Sequence, residues 1–133
     1  MAGKKILIVD DDPDIVESMK LTLEVYGYET FEASNGKEGL EKLKEVNPDL
    51  IILDVMMDGD TEGFHVAYKL RTPDPEYAAY SKIPILMLTA IGKVKRMSFS
   101  PETDGDYLPV DDFVEKPISP HVLVEKVKKL LGE

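Results

Sequence analysis

At 133 residues the chain suits one domain, long enough to bury roughly two thirds of the surface its unfolded form exposes. Its 26 acidic and 16 basic residues give a net charge of −10, which disfavours nucleic-acid backbones and anionic membranes as partners. There is no cysteine for a disulfide or a thiolate metal site, and no apolar run approaches a signal-peptide core or a membrane span, so a soluble, cytoplasmic protein is expected.

Lys4-Lys5-Ile6-Leu7-Ile8-Val9 reads as a buried strand that ends in the carboxylates Asp10, Asp11 and Asp12. Asp12 followed by Pro13 starts a helix, with Ile15, Val16, Met19, Leu23 and Tyr26 on one face and Gly27 closing it. A strand over Tyr28 to Ala33 follows. Ser34 or Asn35 caps a second helix whose Leu40, Leu43 and Val46 face inward until Asn47-Pro48 stops it. Leu50-Ile51-Ile52-Leu53 is a strand apolar on both faces, and it ends abruptly in Asp54. A loop runs to Glu62, and Gly63 to Arg71 forms a short helix broken by Thr72-Pro73-Asp74-Pro75. A helical turn is possible over Glu76 to Ser81. Ile83 to Leu88 is a fourth strand, with Pro84 tolerable only near its beginning, and it leads into Thr89-Ala90. From Ile91 to Val110 the pattern is irregular, with a helical fragment near Gly92 to Met97 and a loop over Ser98 to Asp106. Asp112-Phe113-Val114-Glu115 is the last strand, ended by Lys116-Pro117. Ser119-Pro120 caps a final helix with Leu123, Val124, Val127, Leu130 and Leu131 inward.

Strands alternating with helices predict an α/β fold, a parallel sheet with right-handed crossovers and helices on both faces. In a doubly wound five-stranded sheet of order 2-1-3-4-5 the first and third strands are neighbours, and a crevice opens at their carboxyl ends. Asp10 and Asp11, Asp54, Thr89 and Lys116 all sit at such ends. Three neighbouring carboxylates repel one another unless a cation lies among them, and an all-oxygen set with room for water and phosphate suits Mg²⁺ better than zinc or copper. A metal-adjacent carboxylate, a hydroxyl and a lysine suit phosphoryl transfer, with Asp54 attacking phosphorus while Thr89 and Lys116 meet charge on the equatorial oxygens.

Val9-Asp10-Asp11, Leu53-Asp54-Val55-Met56-Met57, Leu88-Thr89-Ala90 and Glu115-Lys116-Pro117, in this order, resemble the receiver domain of bacterial two-component response regulators. The likeness covers essentially the whole chain. It implies a flavodoxin-like fold, a single receiver domain over residues 1–133 with no effector domain in this chain, and a signalling role without substrate turnover. It also implies that Asp54 accepts a phosphoryl group from a histidine kinase or histidine phosphotransfer protein. The metal ligands would be Asp11 directly, Asp10 mostly through water, Asp54, and the carbonyl of Met56. Thr89 and Lys116 would bind phosphoryl oxygens, the Lys116–Pro117 bond would be cis, and Phe113 would be an aromatic switch coupled to Thr89. The output would be altered binding of a downstream protein, by a monomer or a phosphorylation-dependent dimer, with no direct nucleic-acid or membrane contact.

The chain also departs from the family pattern. Asp58 stands where proline is usual, and the customary glycine arrives one residue late, at Gly63. Asp58 or Asp60 is then either a solvated loop carboxylate or an adjuster of the metal's surroundings. The Thr89 to Lys116 interval is several residues longer than is usual in the family, with the excess near Ser98 to Val110, so the fourth helix is expected to be shortened or irregular. Met56 and Ile91 are apolar where side chains influence attack by water, which predicts slow self-dephosphorylation. Asp12 reads as a helix cap, His65 and His121 as surface residues, and the methionines as packing. Rival readings are a phosphorylation-independent scaffold with the same fold, an aspartate-nucleophile phosphatase that would want an acid where Met56 stands, and a flavin binder that would want a phosphate loop after the first strand.

Overall fold

A computed structural model describes residues 4–54, 80, 82–90, 111–116 and 118–132. The described elements are β1 (Lys5–Val9), α1 (Pro13–Val25), β2 (Glu29–Ala33), α2 (Gly36–Val46), β3 (Leu50–Asp54), β4 (Ile85–Ala90), β5 (Asp112–Lys116) and α3 (Pro120–Leu131). The five strands are parallel, in the order β2-β1-β3-β4-β5. This is the flavodoxin-like arrangement that the alternation of elements and the strand-end motifs predict.

The pleat explains why the central strands read as unbroken apolar runs. Successive side chains point to opposite faces. Ile6, Ile8, Leu50, Ile52, Leu86, Leu88 and Val114 pack with α1 and α3, while Leu7, Val9, Ile51 and Leu53 pack with Leu43 of α2. Helices therefore cover both faces. Complete burial of a leucine or isoleucine is worth about 1.5–3 kcal/mol, so these doubly covered strands anchor the domain.

Local chemistry fixes the element ends. The Asp12 carboxylate accepts the Asp14 and Ile15 N–H groups at the start of α1, and Pro13 occupies the first turn. Asn35 supplies the cap of α2 by accepting the Glu38 N–H at 2.8 Å. Asn47 ends that helix in the left-handed region at φ 53°. Two aspartates clamp the amino ends of neighbouring strands. Asp49 accepts the Lys5 N–H at 2.8 Å and returns its own N–H to the Lys5 carbonyl, also at 2.8 Å. Asp111 does the same with Ile85, at 2.7 and 2.9 Å.

Several sequence expectations shift. Tyr26 does not join the inward face of α1. The helix stops at Val25, so Tyr26 leaves the helical period and is 54% exposed, with Lys128 over its ring. The second strand starts at Glu29, not Tyr28. The fourth begins at Ile85, two residues later than predicted, because Pro84 has no N–H to donate; its carbonyl still accepts from Ile51. That strand continues through Thr89 and Ala90, which pair with Glu115 and Lys116, so the last strand includes Lys116. Ser119 caps α3 by backbone position without a side-chain bond. Leu130 and Leu131 are partly buried against the core. The expected helices near residues 63–71 and 92–97, the turn over 76–81 apart from Tyr80, and the segment 98–110 lie outside the described residues.

Candidate functional site

Strand register brings the predicted acidic residues together. Val9 pairs with Leu53, so the next residue of each chain segment, Asp10 and Asp54, stands at the same level on adjacent lines of the sheet. Asp54 pairs with Leu88, which puts Thr89 one step beyond, and Ala90 pairs with Lys116. Asp10, Asp54 and Thr89 are buried, at 2%, 3% and 1% exposure, whereas Asp11 is exposed. Carboxylate oxygens of Asp10, Asp11 and Asp54 lie within 4.8 Å of one another.

Lys116 spans two of these groups. Its ammonium is 3.3 Å from Asp54 Oδ2, to which it donates a hydrogen bond, and 3.3 Å from Asp10 Oδ2. Asp10 Oδ1 accepts the Asp12 N–H at 3.0 Å. Burial pushes the Asp10 carboxyl up from 3.8 to about 6; the Asp12 N–H opposes this, the Asp54 charge adds to it, and Lys116 partly offsets it. For Lys116 burial favours the neutral amine, but attraction to Asp10 and Asp54 outweighs it, and its pKa is raised.

This donor set fits a hard divalent cation. Three carboxylates and one ammonium sum formally to −2. Among the described residues, Asp10 Oδ2 and Thr89 Oγ1 are buried side-chain atoms without a hydrogen-bond partner, Lys116 approaching the former as an ion pair only. A buried polar atom left so is costly, and one aimed at a cluster of charges is suited to a bound ion or anion.

Phe113 lies on β5 three residues before Lys116, half-buried, with the Lys126 ammonium 5.0 Å from its ring centroid. His121 is exposed beside Glu125. Met56, Asp58, Asp60, His65, Ile91 and Pro117, and with Pro117 the geometry of the Lys116–Pro117 bond, lie outside the described residues. Sequence reasoning passed over Lys126 and Asp112, which are 14 residues apart and meet only when α3 packs beside β5. It also passed over Gly39, although a glycine inside a helical pattern was a visible signal. A Cβ there would sit 3.1 and 3.2 Å from the two methyls of Val9, just before the acidic strand end.

No described helix is long and apolar enough to cross a membrane. Residues 6–128 match the sequence profile of the response regulator receiver domain. The chain is 38% identical over 131 residues to the phosphate regulon transcriptional regulatory protein PhoB of Pseudomonas aeruginosa, covering 98% of this chain and 53% of that protein. It is 40% identical over 129 residues to the alkaline phosphatase synthesis transcriptional regulatory protein PhoP of Bacillus subtilis, covering 97% and 49%. The chain thus spans about half the length of these relatives. The chemotaxis response regulator CheY4 of Vibrio cholerae superimposes with a TM-score of 0.75 at 32% identity, over 96% of this chain and 98% of that one. With its strand order, its acidic strand ends and the match over residues 6–128, the chain belongs to the receiver domain family of two-component response regulators.

Proposed function

We propose that this receiver is switched by phosphorylation of Asp54, with the phosphoryl group supplied by a histidine kinase or histidine phosphotransfer protein. The observation that carries this reading is a buried Asp54 carboxylate held 3.3 Å from the Lys116 ammonium, with the Asp10 and Asp11 carboxylates in the same cluster. Mg²⁺, held by Asp11, Asp54 and the Met56 carbonyl with Asp10 acting mostly through water, would supply charge neutralisation for the incoming phosphoryl oxygens. An Asp54 oxygen attacks phosphorus, its O–P bond forms as the bond to the donor breaks, and the leaving nitrogen or oxygen departs with the electron pair. Lys116 keeps the nucleophile oriented before transfer and moves its positive charge onto the phosphoryl oxygens afterwards. Thr89 offers a hydroxyl with no competing partner among the described residues, ready to donate to the same oxygens.

Drawing Thr89 toward the phosphoryl group favours the conformer in which Phe113 turns inward, and the outer face that a downstream protein reads changes with it. The protein acts in the cytoplasm, and its charge of −10 directs that output to proteins. Incubation with Mg²⁺ and a small acyl-phosphate donor, followed by intact mass measurement, tests the assignment. One phosphoryl adduct is expected on the wild type and none on Asp54→Ala. An unmodified wild type, or equal modification of the variant, refutes it.

A further inference from the structure

Asp112 opens the edge strand β5, and one of its carboxylate oxygens serves two donors. Oδ1 accepts the Phe113 N–H at 2.8 Å and the Lys126 ammonium at 3.0 Å. The same ammonium stands 5.0 Å from the centroid of the Phe113 ring. Side-chain exposures of 28% for Lys126 and 18% for Asp112 place the pair partly out of water, where ion pairs and cation–π contacts are screened less than on an open surface. A single carboxylate oxygen therefore fixes both the backbone of the aromatic residue and the cation over its face. Phe113 is also one wall of a groove of about 300 Å³ lined with Val114, Glu115, Ser119, Val122 and Lys126, so the orientation of the ring shapes that surface.

From this geometry we infer that Lys126 is a positioning residue, a latch that retains Phe113 in its half-buried orientation in the unphosphorylated protein. Swinging the ring away forfeits the cation–π contact while the lysine stays tied to Asp112, so the latch sets the ratio of the two ring orientations. The inference rests on the reading of Phe113 as an aromatic that changes orientation. It adds a control element on α3, outside the phosphoryl site and unused by its chemistry.

Lys126→Met keeps the aliphatic stem and removes the charge. Three-bond couplings that report χ1 of Phe113 in isotopically labelled, unphosphorylated protein give the rotamer populations directly. The minor rotamer should rise about two- to five-fold, the range expected for loss of a partly exposed cation–π contact, and Lys126→Arg should retain wild-type populations. The rate of modification by the acyl-phosphate donor should rise by a similar factor in Lys126→Met, and that rise should vanish in a Phe113→Ala background. Unchanged χ1 populations in Lys126→Met overturn the latch, as does a rate increase that persists without the aromatic ring. A wild type that takes no phosphoryl group refutes the phosphoacceptor reading instead, and the rotamer measurement still decides the latch.

Discussion

Replacing Asp10 with asparagine should stabilise the metal-free protein at neutral pH, although it removes a member of the phosphoryl site. The Asp10 carboxyl is buried, chiefly for that reason its pKa rises from 3.8 to about 6, and carrying the charge at neutral pH therefore costs ~3 kcal/mol of folding free energy. That figure is already net of the attraction to Lys116; an amide keeps the bond from the Asp12 N–H, and burying its own polar atoms takes part of the benefit back, which leaves a net gain of about 1–2 kcal/mol. The sign of the pH dependence follows directly. Between 3.8 and about 6 the folded protein holds more protons at this position than the unfolded chain, so its contribution to stability falls as pH rises through that window and levels off above it. Urea unfolding of both proteins with chelator present, at the acid end of the window and at neutral pH, isolates Asp10 because every other carboxyl is common to both. Saturating Mg²⁺ should then favour the wild type, by ~2.7 kcal/mol at a hundredfold excess over its dissociation constant. An asparagine variant less stable than the wild type at neutral pH, or a difference between the two that ignores pH, refutes the reasoning.

Thr89→Val keeps the shape of a fully buried side chain while deleting a hydroxyl with no partner among the described residues. It should raise stability by about 1 kcal/mol in urea unfolding, and slow phosphorylation in a mass-spectrometric time course. Gly39→Ala should destabilise by ~1 kcal/mol, because crowding the stiff, buried Val9 exceeds the gain in helix propensity. In a Val9→Ala background the same change should become stabilising by up to ~1 kcal/mol, read from the same unfolding curves.

The strands and the acidic ends were legible because both rest on local signals. Ile6 to Val9 and Leu50 to Leu53 are apolar without interruption, and each stops at a carboxylate. What sequence could not supply is the partner of each charge. The strand-end pattern puts Lys116 at the crevice, but only register shows its ammonium standing between Asp10 and Asp54. Nor does any periodicity connect Asp112 with Lys126, since one opens a strand and the other lies in mid-helix. Tyr26 misled because helical spacing says nothing about where the helix stops, and one residue past the end is enough to turn a side chain outward. Pro84 was read as compatible with a strand start, but its lost donor moved the boundary to Ile85.

The two aspartate clamps at the amino ends of the strands carry a consequence for how such a domain can diversify. Asp49 and Asp111 accept backbone N–H groups and lock strand against strand, whereas Asp10 and Asp54, at the far ends of the same sheet, are buried and crowded together with Asp11. One residue type thus works as rivet at one rim and as spring at the other. Because alignment is secured some five residues away from the chemistry, the segments that leave the reactive rim can lengthen or change composition without loosening the register that sets the carboxylates side by side.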